Sequence, residues 1–132
     1  MSDYRYSVRA DPARNVVYLE QAGHAEREDL LRLRGDYVRA LAALRPGFVV
    51  VHDQRAVRSF SDQALEVGLE LVAVTDQHGA SKVIRIAPEA LLSRTRTTRV
   101  LVSAQARYAD VRVSSAEEAE EALRQHLAAF GS

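Results

Sequence analysis

Four consecutive apolar residues, Phe48, Val49, Val50 and Val51, stand between the breaker pair Pro46-Gly47 and the polar pair His52-Asp53. A short run rich in β-branched residues, bounded by a turn signal, reads as a strand. With no polar position inside it, both of its faces must be covered. Such a strand needs helices packed on its sheet, which makes the chain an α/β domain.

The flanking periodicities agree. Residues 4–9 alternate and suit a half-buried strand, Asp11-Pro12 marks a turn, and residues 16–21 form a second strand that Gly23 ends. The two make a hairpin. Residues 24–45 are the clearest helix. Leu30, Leu33, Tyr37, Leu41 and Leu44 share one face, and Arg32, Arg34, Asp36 and Arg39 the other. After 48–51 a polar turn is expected over 54–59. A second helix follows over 61–78, with Leu65, Leu69 and Val72 inward and Gly79 as its C-terminal cap.

Residues 81–87 read as a fourth strand. Pro88 suits the first position of a third helix reaching to about Ala106, although its middle is rich in β-branched and hydroxyl residues. Residues 109–113 are a fifth strand. Ser114 or Ser115 starts a final helix, where Ser115 and Glu118 have capping-box spacing and Leu123 and Leu127 mark the apolar face. The order β-β-α-β-α-β-α-β-α describes one domain over 1–132, a single mixed sheet of about five strands with helices packed on it.

Composition narrows the function. The 18 basic and 18 acidic residues cancel, which disfavours nucleic acid as a partner. With no cysteine, disulfides and Cys-based zinc sites are excluded. No apolar run approaches the roughly 20 residues of a membrane span. The first residues lack the apolar core of a signal peptide, so a cytoplasmic protein is expected, with no cofactor.

Asp53, at the end of the central strand, can hold a cation, orient a partner or move a proton; it can equally tie up backbone N–H groups of the next turn. Ser59 and Ser61 precede a helix and suit N-capping, and Asp62 in the first turn is favoured by the helix dipole. Lys82, Arg85, Arg94, Arg96 and Arg99 form a basic stretch opposed only by Glu89. It reads as a patch for an anionic ligand, or as a solvated face balanced by Glu117, Glu118, Glu120 and Glu121. His24, His52, His78 and His126 fall in separate elements, and no nucleophile-elbow, P-loop or zinc-protease motif occurs. The chain is therefore not expected to be an enzyme; His52 beside Asp53 is the residual acid–base candidate.

The run HDQRAVRSFSDQAL at 52–65 resembles the STAS signature of anti-sigma-factor antagonists, L-D-L-S-G-V-x-F-I-D-S-S-G-L. Asp53, Val57 and Leu65 match, and Phe60 is similar. VRVSSAEEAEEALRQHL at 111–127 resembles the end of SpoIIAA-like relatives, where a short strand leads into an acidic helix. The resemblance implies a STAS/SpoIIAA-like fold and a non-enzymatic regulatory module whose protein partner is an anti-sigma-type serine kinase. That family's phosphorylated serine corresponds here to Asp62, the aspartate before it to Ser61, and the glycine after it to Ala64. The switch is then either lost or fixed near its charged state, with Ser59 and Ser61 as displaced acceptors. The same superfamily is related to lipid-transfer domains. That implies the alternative of a small apolar-ligand or lipid carrier, with the ligand between the sheet and the second and third helices. A homodimer through an exposed strand or helix face stays open.

Overall fold

The computed structural model describes residues 3–87 and 107–130. The expected third helix, with Arg94, Arg96 and Arg99, lies outside the described residues. The elements are β1 (Arg5–Asp11), β2 (Val16–Ala25), α1 (Arg27–Leu41), β3 (Val49–Phe60), α2 (Asp62–Gln77), β4 (Lys82–Ile86), β5 (Ala109–Val113) and α3 (Ala116–Phe130).

The strands form one mixed sheet of five in the order β1-β2-β3-β4-β5. The β1–β2 hairpin is antiparallel and every other pairing is parallel. Strand alternation sends successive residues to opposite faces, and here both faces are covered. Val17, Leu19, Val50 and Val83 meet Leu33 and Tyr37 of α1 and Val67 of α2. Val16, Val49, Val51, Ile84 and Ile86 meet Ala119 and Leu123 of α3. The unbroken apolar run of β3 follows from this two-sided burial. Glu120 also anchors α3 to the hairpin, accepting from Tyr18 Oη at 3.1 Å and Arg14 Nη2 at 3.2 Å.

Four boundaries differ from the sequence expectations, one being that α1 ends at Leu41, short of Arg45. Residues 54–59 are strand, not turn, because β3 runs on to Phe60 beside β2, with His24 opposite Ser59 and Ala25 opposite Phe60. β4 stops pairing at Asp53, so this extension has a neighbour on one side only, and its polar residues meet water. Gly23 does not end β2. It sits inside the strand at φ +86° beside a register shift, where a Cβ would fall 2.5 Å from the Asp3 carbonyl oxygen. His24 and Ala25 consequently belong to β2, and α1 starts at Arg27.

On α2 the buried stripe is Ala64, Val67 and Thr75, and Leu69 is exposed instead of inward. Leu65 and Val72 are half-buried. The capping expectations hold at Ser61, whose Oγ accepts from Ala64 N at 3.1 Å, and at Gly79, whose φ is +88°. The box at α3 is half-formed. Ser115 Oγ accepts from Glu118 N at 3.1 Å, but the Glu118 carboxylate takes the Ser114 hydroxyl at 2.7 Å.

Candidate functional site

The sheet, α1, α2 and the extension of β3 enclose a cavity of about 260 Å³ among the described residues. Its walls are apolar: Leu19, Val50 and Val83 from the sheet, Leu30 from α1, and Leu65, Leu71 and Val72 from α2. Val57 and Phe60 of β3 close one side. Gly68 of α2 also faces this space, and nothing lies within 4 Å of where its Cβ would stand. A mid-helix glycine costs helix stability. Neither a positive φ nor a close backbone approach requires this one, and its effect is to leave room.

The floor is polar. Gln21, His52 and Arg85 project from three adjacent strands, and all three are buried. Arg85 Nε donates to Asp110 Oδ1 at 3.0 Å, and Arg85 Nη1 lies 3.3 Å from His52 Nδ1. The Gln21 amide lies 2.6 Å from His52 Nε2 and 2.9 Å from Tyr4 Oη. Guanidinium only donates, so Nδ1 accepts and the ring proton belongs on Nε2; the Gln21 amide then turns its oxygen to that proton and its nitrogen to Tyr4 Oη. Burial, and secondarily the Arg85 charge, push the His52 pKa down to about 3. The ring is neutral at physiological pH and holds Arg85 in place as an acceptor. Beside it, Tyr37 Oη and Thr75 Oγ1 are 2.7 Å apart, and Thr75 donates to the Leu71 carbonyl at 2.7 Å.

The residues singled out from sequence do not gather at one point. Asp53 follows His52 on the strand and so faces away from the cavity. Its carboxylate accepts from Arg55 N at 3.0 Å and from Arg55 Nη2 at 2.8 Å. Burial alone would raise its pKa, but these Arg55 contacts outweigh it and hold the group below the ordinary carboxylate range. The His52–Asp53 acid–base pair is thus divided between two faces. Seven strand steps separate Asp53 from Phe60, roughly 23 Å at strand rise, so Asp53 is remote from Ser61 and Asp62.

Ser59, Ser61 and Asp62 do lie together, at the junction of β3 and α2 on the cavity rim. Ser59 Oγ is 2.6 Å from His24 Nδ1, and His24 Nε2 is 2.9 Å from Glu26 Oε1. Ser61 caps α2, and Asp62 is exposed in its first turn. Of the basic stretch, Lys82 and Arg85 are three positions apart on β4 and point to opposite faces. Only Arg85 reaches the cavity.

Gln21, Gly68 and Asp110 were missed in the sequence. Each carries a weak local signal: a polar residue in a strand, a glycine in a helix, and an acid opposite an arginine too distant in sequence to pair by pattern.

This arrangement is a SpoIIAA-like fold. Among solved structures, the chain is similar to an uncharacterized protein of the DUF3478 family with a SpoIIAA-like fold from Shewanella loihica PV-4. The TM-score is 0.71 at 14% identity, over 93% of this chain and 95% of that one. It is similar to the anti-sigma factor antagonist SpoIIAA in its unphosphorylated form, with a TM-score of 0.62 at 13% identity over 91% of this chain and 98% of that one. An anti-sigma factor antagonist from Mycobacterium paratuberculosis gives a TM-score of 0.52 at 17% identity over 91% and 95%. No protein-family model matches the chain, and no curated protein matches it in sequence. Among the described residues no helix is long and apolar enough to cross a membrane.

Proposed function

We propose that this chain is a non-enzymatic binding module that takes a small, largely apolar ligand between its sheet and helices α1 and α2. The cavity carries the reading: it is apolar in wall, polar in floor, and kept open by Gly68. The segment 57–65 joins this cavity to a regulatory role. Val57, Phe60, Ala64 and Leu65 line the space, and Ser59, Ser61 and Asp62 on the same segment form the rim surface. Occupancy therefore bears directly on the strand–helix junction.

The Ser59–His24–Glu26 line has the residue types of a nucleophile relay. Ser59 and Glu26 are exposed, however, without the water-excluded setting that makes such a relay effective. Amide NMR mapping with 1-octanol tests the module. Shifts are expected at Val57, Leu65 and Leu71, spreading to Ser59, Ser61 and Asp62, and lost in Gly68→Leu. Shifts confined to the lining would remove the regulatory link, and none at all, with 1-octanol or with octanoate, would remove the ligand.

A second reading, protein docking at the start of α2, is favoured by the exposed Asp62 carboxylate and by the fold shared with the two anti-sigma factor antagonists. Asp62 supplies there a permanent single negative charge. An anti-sigma-type serine kinase is the partner this reading names. Co-migration of that kinase with the wild-type chain but not with Asp62→Lys would support it, and co-migration with neither would sink it.

A further inference from the structure

We propose that the cavity floor is an anion site, and that the ligand is a monocarboxylate with a compact apolar body of about ten heavy atoms. This rests on the ligand-binding reading above and adds the chemistry of the ligand. Size comes from volume: a cavity of roughly 150 Å³ holds benzene. On that scale the 260 Å³ found here accommodates about ten heavy atoms.

Charge comes from the count of ions at the floor. Asp110 lies 3.0 Å from Arg85 and 3.5 Å from Arg112, one carboxylate shared by two guanidinium groups. His52 is neutral and adds no negative charge. Among the described residues the cluster therefore keeps a net positive charge, and its innermost member borders an apolar space. The Arg85 fork has five N–H donors. Nε and Nη1 donate to Asp110 and His52, and Arg85 also shares a side-chain hydrogen bond with Tyr108, which leaves two of its N–H groups without a partner among the described residues. A carboxylate is the anion whose two oxygens match these two N–H groups, and an apolar tail then fills the walls between Val50, Val83 and Leu71.

Calorimetric titration of the full chain at neutral pH tests this with two matched pairs of probes: octanoate against 1-octanol, and 3-phenylpropanoate against 3-phenylpropanol. The pairs distinguish an alkyl from an aromatic body while sharing the carboxylate. At least one acid should bind about tenfold or more tighter than its own alcohol, as a charged hydrogen bond predicts. In the paired variant Arg85→Met with Asp110→Leu, which removes both members of the buried pair and leaves Arg112, 23% exposed, to water, that acid should fall to the level of its alcohol while the alcohol is unchanged. Arg85→Lys keeps the charge without the fork and serves if the paired variant fails to fold. It should lower acid affinity severalfold and leave alcohol affinity intact. Alcohols binding as tightly as acids to the wild type, or acid affinity unchanged in Arg85→Lys, overturns the anion site and leaves the cavity reading standing. Binding of none of the probes overturns both.

Discussion

Arg85 Nη1 lies 3.3 Å from His52 Nδ1, a cation donating to a ring that is itself buried. Protonating that ring would place two positive charges side by side without water between them. The unfolded ring takes its proton near pH 6.5 and the folded one near 3, so in that interval the unfolded chain binds more protons. Stability is therefore full above about pH 6.5 and falls on acidification toward pH 3. By pH 5 the loss should be about 2 kcal/mol relative to pH 7.5. Urea unfolding of the wild type and His52→Gln at the two pH values checks it, because the variant should lose this part of the slope. Asp3, Asp36 and Asp53, whose pKa values are held down, titrate below that window. An identical slope in both proteins would show that His52 is not the titrating group.

Gly68→Ala should stabilise the chain. The new methyl group has nothing within 4 Å to strike, and the helix gains the propensity difference between glycine and alanine, about 1 kcal/mol. Thermal and urea unfolding measure it. A destabilised variant would mean that the space beside α2 is filled in solution.

Gly23→Ala should do the reverse. The φ of +86° already disfavours any side chain, and the Cβ would lie 2.5 Å from backbone that belongs to the hairpin's own N-terminal flank. The expected loss is about 2 kcal/mol or more, since neither the strand irregularity nor Asp3 can yield cheaply. Stability unchanged within about 0.5 kcal/mol would show that this irregularity relaxes without cost.

The central strand was legible because its four apolar residues admit only two-sided burial. The fifth strand was also expected at 109–113, which is where β5 lies. Residues 54–59 were misread because hydrophobic patterning reports burial, and backbone hydrogen bonding can continue where burial has stopped. Past Asp53 the strand has lost β4 but kept β2, so it looks like a loop in composition and is a strand in bonding. The same limit hid the cavity floor. Arg85 stood out in sequence as one of a run of basic residues, but alternation separates it from Lys82. Its carboxylate partner, Asp110, lies on a strand 25 residues away. A turn over 54–59 would bring Asp53 back towards Asp62; the extended backbone of β3 places them at opposite ends of the segment.

Asp110→Asn should be among the most damaging single changes to the ion cluster. Arg85 and Asp110 side chains are 9% and 15% exposed, so removing the carboxylate leaves a guanidinium facing a neutral ring and an apolar cavity. Breaking a buried pair from one side costs about 3 kcal/mol or more, whereas replacing both members with apolar groups is often near neutral. Arg85→Met combined with Asp110→Leu should therefore be more stable than Asp110→Asn alone, and the double-mutant cycle should show a coupling of roughly 2 kcal/mol. The partial solvent access of Asp110 and the nearby Arg112 place the values at the lower end of that range. Stability of the paired variant at or below that of Asp110→Asn would mean that the arginine is held by contacts other than this carboxylate. The cavity floor would then owe its cation to packing, and the net charge at its base would no longer follow from the ion count.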